Sequence, residues 1–88
     1  MNNTVNKEQI DKLFDESEKH YEIYWGKCTV VAIKLKSGFV IIESSACVDP
    51  ENFDDQVGRE ICEERIKNKL WELEGYELQK NIGAANAR

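Results

Sequence analysis

The side chains able to do chemistry crowd into one short stretch, residues 44–60, SSACVDPENFDDQVGRE. It brings hydroxyls, a thiol, a run of acids, an asparagine and one arginine together around the only proline of the chain. Much of the stretch reads as the start of a helix. Asp49 stands before Pro50, the pattern of an N-cap followed by proline at the first helical position. A short turn through Phe53 would follow, with the main helix beginning at Asp54 or Asp55. Glu51, Asp54 and Asp55 then lie where a helix N-terminus favours negative charge.

Two residues of the stretch are not explained by helix initiation. Gly58 falls inside the helix, where glycine costs about 1 kcal/mol relative to alanine. Such a glycine allows close backbone approach, to a hairpin, to another subunit or to a ligand. Arg59 either pairs with Asp55 one turn earlier or projects its guanidinium beside that close-packed surface, a common way to hold phosphate or carboxylate.

Elsewhere the chemistry is sparse. His20 is the single histidine. A Cys–His nucleophile pair with Cys28, Cys47 or Cys62 is conceivable, but His20 sits among charged residues and reads as a solvated or half-buried side chain. The acids at 49, 51, 54 and 55 do not follow calcium-loop spacing. One histidine and scattered thiols make a poor zinc site. No phosphate-binding or nucleophile-elbow motif occurs. The expectation is a protein that is not an enzyme and carries no metal or cofactor.

The elements that must position these residues fit in one domain of 88 residues. At 41% hydrophobic and 33% charged residues, the composition is that of a soluble globular protein and too apolar for a disordered chain. The net charge of −5 argues against a direct grip on nucleic-acid phosphates. An acidic surface suits solubility, or a basic partner. With no apolar run long enough to span a bilayer and no signal peptide, no membrane association and a cytoplasmic location are expected. The three cysteines fit neither a disulfide framework nor a CxxC metal pattern.

Three elements are predicted. Ile10, Leu13, Phe14, Ser17, Tyr21 and Tyr24 recur at helical steps, giving a first helix over about 6–24, with Asn6 and Gln9 as a capping box and Gly26 as its stop. Two β-branched runs around Ser37-Gly38 predict a hairpin. A two-residue turn would pair positions summing to 75, gathering Thr29, Val31, Ile33 and Leu35 with Val40, Ile42, Ser44 and Ala46 on the core face and setting Cys28 opposite Cys47. A second helix carries Val57, Ile61, Ile66, Leu70 and Leu73, widened by Cys62 and Trp71. It is expected to end near Gly75, with Tyr76 and Leu78 returning as an extended segment. The fold class is α+β: helix, hairpin, helix, both helices on one face of the ribbon, in a single domain over 1–78 with a flexible tail over 79–88. Trp25 and Trp71 would close the ends of the core or anchor an interface. The mixed outer face and the ribbon's edge make self-association plausible.

The string TVVAIKLKSGFVIIESSACVDPENFDDQVGREICEERIKNKLWELEGYEL, residues 29–78, resembles a family of small phage and prophage proteins named after gene forty-nine of one enterobacterial phage and gene sixty-six of another. The resemblance rests on a strand and short turn, then GFV, ESSACVDPENFD, GR and KLWELEGY. A similar module occurs in Thoeris anti-defence proteins, oligomers that bind a cyclic ADP-ribose signal between subunits and withhold it from a bacterial immune effector. In those proteins a helical portion beyond the module contributes to the site, and this chain, ending at Arg88, is expected to lack it.

The resemblance implies a counter-defence protein acting by stoichiometric binding in the infected cell. One mechanism is sequestration of a cyclic nucleotide signal by a homo-oligomer. Ser44, Ser45, Asp49, Asn52, Arg59 and Arg65 would then supply hydroxyl and anion contacts at a subunit boundary. A second mechanism is that of an acidic inhibitor filling the basic groove of a host nuclease, in the manner of anti-CRISPR proteins, through Asp54, Asp55, Glu60, Glu63, Glu64 and Trp71. A third class is a virion or replication accessory protein.

Overall fold

Asn6 opens the first helix as its spacing predicts, its side-chain oxygen accepting a hydrogen bond from the Gln9 N–H at 2.8 Å. The computed structural model describes residues 4–86. In it α1 spans Lys7–Asp15, much shorter than predicted. Ser17 closes it: its N–H and its hydroxyl both donate to the Phe14 carbonyl, at 3.1 and 2.6 Å.

Beyond Ser17 the chain forms a strand and not more helix. β1 spans Glu18–Tyr24 and pairs antiparallel with β2, Cys28–Lys34. Tyr21 and Tyr24 fit a helical step in sequence, but Tyr21, Ile23 and Tyr24 are also strand-forming types. Pairing with β2 decides between the two. Gly26 is therefore not a helix stop. It and Trp25 have φ of 62° and 53°, the positive pair that a type I′ turn needs, closed by Lys27 N–H to Tyr24 O at 3.1 Å. Trp25 caps no core: at the tip of this turn it is 84% exposed.

β3 spans Val40–Ala46 and pairs antiparallel with β2 on the side away from β1. The β2–β3 connection has three loop residues, not two. Leu35 N–H donates to Phe39 O at 2.9 Å and Gly38 N–H to Leu35 O at 2.8 Å, with Gly38 at φ 97° in the third loop position. This turn with a terminal bulge needs its glycine there. Paired positions consequently sum to 74, as in Thr29↔Ser45 and Ile33↔Ile41. A slip of one residue exchanges the faces of the strand. Ile41 is buried and Ile42, expected in the core, is 58% exposed. Cys28 faces Ala46 and not Cys47; Cys28, Cys47 and Cys62 are free thiols.

Asp49, Pro50 and the acids do what their order predicts. Asp49 accepts from Glu51 N–H at 3.0 Å over a single 3-10 turn, Pro50–Asn52. Asp54 accepts from Gln56 N–H and Val57 N–H at 3.0 and 3.3 Å. α2 then runs Asp55–Asn86, straight through Gly75. At about 1.5 Å per residue it is close to 48 Å long, most of the molecule's longest extent of 59 Å. No extended segment returns at Tyr76, and the stretch expected as a tail is helical to Asn86; residues 87 and 88 lie outside the described residues. Gln9 of α1 donates to Glu74 at 3.4 Å, so the N-terminal part of the chain lies along this later portion of α2.

The core lies between one face of the sheet and the two helices. Ile10 and Phe14 of α1, Val31 and Ile33 of β2, Ile41 of β3, and Cys62, Ile66 and Leu70 of α2 form it. The buried line on α2 is Gly58, Cys62, Ile66 and Leu70, spaced by four. Val57, Leu73 and Trp71, expected on that stripe, are each at least 39% exposed. The architecture is a small α+β single domain: helix, three-stranded antiparallel sheet, long helix.

Candidate functional site

Gly58 turns its missing side chain towards β2. A Cβ there would lie 2.4 Å from Thr29 Oγ1 and 2.9 Å from Thr29 Cβ. Of the three uses its position suggested, the close approach to the hairpin is the one the fold makes. Thr29 Oγ1 donates to Asp55 at 3.4 Å, so the first turns of α2 are fastened to the middle strand.

Arg59 is taken up by the same fastening. Its Nε is 2.9 Å from the Asp55 carboxylate, and its guanidinium carbon stands 4.4 Å from the centre of the Tyr21 ring. The Tyr21 hydroxyl donates to Glu63 at 2.9 Å. Burial and the Glu63 carboxylate push the Tyr21 hydroxyl above its ordinary pKa, while the nearby Arg59 charge opposes them. These groups tie β1 to α2.

Arg65 serves the opposite edge. Its Nη1 donates to the Ser44 carbonyl of β3 at 2.6 Å. Six residues apart on one helix, Arg59 and Arg65 point about 120° away from each other. Arg59 and Arg65, expected to supply anion contacts at a subunit boundary, thus lie over opposite edges of the sheet within one chain. The rest of that set is partly assembled. Ser45 and Asn52 line a cavity of about 250 Å³ with Cys47, Phe53, Asp54, Val57, Gly58 and Ile61, a lining without a cation. Ser44 is exposed, and Asp49 is engaged as a cap.

The acidic set is dispersed as well. Asp54 caps α2, Asp55 holds Arg59, and Glu63 holds Tyr21. Glu60 accepts from Gln56 at 3.3 Å. Glu64 and Trp71 are exposed on α2. Lys67 pairs with Asp11 of α1 at 3.1 Å. His20 lies on β1 with Nε2 2.8 Å from Glu18 Oε2. Among the described residues no three histidine, cysteine or acidic side chains are grouped to hold a metal ion.

The larger concavity lies where the sequence pointed to no site. Phe39, Val40, Ile41 and Ile42 line one side, and Lys69, Glu72, Leu73 and Tyr76 of α2 the other, around about 610 Å³. A second hollow of about 370 Å³, beneath the β2–β3 turn, shares Phe39 and Leu73 with it. Lys69 Nζ is 2.7 Å from Glu43, a largely buried carboxylate. The groove was hidden because it depends on the register of β3 and on the continuation of α2 past Gly75. The two-residue turn would place Phe39 and Ile41 on the mixed outer face of the ribbon, away from the helices, so they gave no sign of it.

A short helix, a three-stranded antiparallel sheet and one long helix define this as a small α+β protein. The chain belongs to the Phage protein (N4 Gp49/phage Sf6 gene 66) family, whose model matches residues 2–82. No curated protein and no solved structure matches it. No helix among the described residues is long and apolar enough to cross a membrane.

Proposed function

We propose that this phage protein works in the cytoplasm of an infected bacterium as a counter-defence binder. It withholds a cyclic nucleotide signal of the cyclic ADP-ribose class by holding it, one ligand per site, without turnover. The observation that supports this reading is the groove between β3 and α2. Its volume of about 610 Å³ falls in the range of small-molecule sites, roughly 300–1,000 Å³. Tyr76, 70% exposed, and Phe39, half exposed, offer aromatic faces to a base. Lys69 is the cation of the lining, and a ligand phosphate would share its ammonium with Glu43, 2.7 Å away.

This moves the ligand away from the polar turn at 44–52. It also favours sequestration over the acidic-inhibitor reading. Asp54, Asp55 and Glu63 are bound to groups of their own chain, and a surface built to enter a basic groove would keep its carboxylates unengaged.

Purified protein charged with a cyclic ADP-ribose isomer should give the nucleotide back chemically unchanged after heat denaturation, as read by mass spectrometry. Recovery of a hydrolysed product would contradict binding without turnover. Recovery of no nucleotide at all would remove sequestration.

A further inference from the structure

We propose that the end of the sheet carrying Trp25 is a docking surface for another protein, one that offers an apolar pocket rimmed by lysine or arginine. The proposal goes beyond the nucleotide reading and does not need it, because this end lies away from the groove. Val48 stands six residues beyond Ile42, about 20 Å of extended chain.

The fold does not account for Trp25. It comes first in the two-residue turn between β1 and β2, at φ 53°, a left-handed backbone that is unfavourable for a bulky residue. Asparagine or glycine takes this position readily. The indole gains no burial in exchange. It is 84% exposed, and the ring it meets, Tyr24 at 5.6 Å between centroids, is itself 45% exposed. A side chain that strains the backbone and stays in water is the mark of a binding residue, and tryptophan is the commonest anchor of protein interfaces.

The neighbouring loop adds to the patch. Cys47 N–H donates to Lys27 O at 3.0 Å, and Lys27 Nζ donates to Val48 O at 3.4 Å. These bonds tie Val48, 94% exposed, to the turn. With ordinary large side-chain areas of about 150–250 Å², Trp25, Tyr24 and Val48 expose a few hundred Å² of apolar surface, the size of patch that marks an interaction site.

Charge identifies the partner. Glu22 lies two residues before Tyr24 and shares its face of the strand. Glu51 lies in the 3-10 turn that follows Val48. Both are exposed. Asp49 and Asp54 accept only backbone N–H groups as caps, which leaves their negative charge in place. Against these four carboxylates, residues 22–28 and 46–54 hold one cation, Lys27. An aromatic anchor inside an acidic rim complements an apolar pocket inside a basic one. The same rim opposes an anionic lipid surface.

Trp25→Asn relieves the backbone and removes the anchor together. It should raise the urea midpoint of the isolated protein; a lower midpoint would show that Trp25 serves the fold and would overturn the proposal. Immobilised wild type and Trp71→Phe should each retain from a bacterial lysate a protein that Trp25→Asn does not. That protein, identified by mass spectrometry and purified, should bind wild type in calorimetry at least tenfold more tightly than it binds Trp25→Asn or Glu51→Lys. Added to Trp71→Phe, it should shift the emission of Trp25 to the blue. Retention that does not depend on Trp25, a purified protein that fails to bind, or an affinity unchanged by Glu51→Lys would each overturn the proposal. Co-sedimentation of wild type but not Trp25→Asn with vesicles of phosphatidylethanolamine and phosphatidylglycerol would overturn it in favour of a membrane. A solution mass that falls on Trp25→Asn substitution would overturn it in favour of a second copy.

Discussion

Gly58 and Thr29 touch so closely that α2 rests on β2 with almost no side chain between them: a methyl at 58 would sit 2.4 Å from Thr29 Oγ1. This contact sets the depth at which the long helix lies on the sheet. Alanine here gains about 1 kcal/mol of helix propensity but forces an overpacking cost of about 1–3 kcal/mol. Gly58→Ala is therefore expected to lower the urea midpoint with an unchanged slope. A variant more stable than the parent would show that the helix does not approach β2 this closely.

Tyr21, Arg59 and Glu63 couple β1 to α2, and their effects should not add. Tyr21→Phe removes the hydroxyl bond to Glu63 and is expected to cost about 0.5–1.5 kcal/mol. Arg59→Ala removes the ring contact and the Asp55 pair, which at a half-exposed site amounts to about 0.5–1 kcal/mol. Tyr21→Phe keeps the ring, so the ring contact is tested with Tyr21→Leu: combined with Arg59→Ala, that variant should lose measurably less than the sum of the two, because either substitution alone already removes the contact. Strict additivity in denaturation experiments would mean the ring contact contributes nothing.

Asp11 joins α1 to α2. It accepts from Lys7 at 2.7 Å and from Lys67 at 3.1 Å. Those two hydrogen bonds hold its carboxyl below the ordinary 3.8. The unfolded chain takes up this proton at higher pH than the folded one. The stabilisation is thus complete above 3.8 and is lost as pH falls through the lower, folded value. Asp11→Asn should remove this part of the acid sensitivity, flattening the dependence of thermal midpoint on pH in that window. An equally steep dependence in the variant would place the effect elsewhere.

Cys62 is fully buried and its thiol is pushed above the ordinary value by that burial. Cys28 and Cys47 are only half-buried. A disulfide-exchange reagent should titrate Cys28 and Cys47 in the native protein and Cys62 only after denaturant is added, since both access and thiolate fraction are denied to it. Three equally fast thiols would mean that α2 does not pack on the sheet as described.

The local signals in the sequence were sound and the long-range ones were ambiguous. Asn6, Asp49 and Asp54 announce helix starts because a cap needs only neighbours a few residues away. The identity of β1 was not legible, because Tyr21 and Tyr24 satisfy a helical step and a strand alike and the pairing with β2 lies outside any local window. The hairpin itself was legible, but its register turned on whether Gly38 stood second or third in the loop. That single position sent Ile41 inward and Ile42 outward. Gly75 looked like a helix end, yet glycine costs a long helix only about 1 kcal/mol, and the pairing of Gln9 with Glu74 supports the continuation. The groove inherits the last two of these choices, the register of β3 and the continuation of α2, so it was not visible before the fold was.

Isothermal calorimetry of cyclic ADP-ribose isomers against wild-type protein and Tyr76→Ala tests the central claim most directly. Tyr76 is 70% exposed, so its removal should spare the fold. A nucleotide site in the groove predicts saturable heat with one ligand per site for the parent and at least a tenfold weaker isotherm for the variant, which corresponds to about 1.4 kcal/mol. Absence of heat with the parent, or identical isotherms for both, would contradict a nucleotide site between β3 and α2.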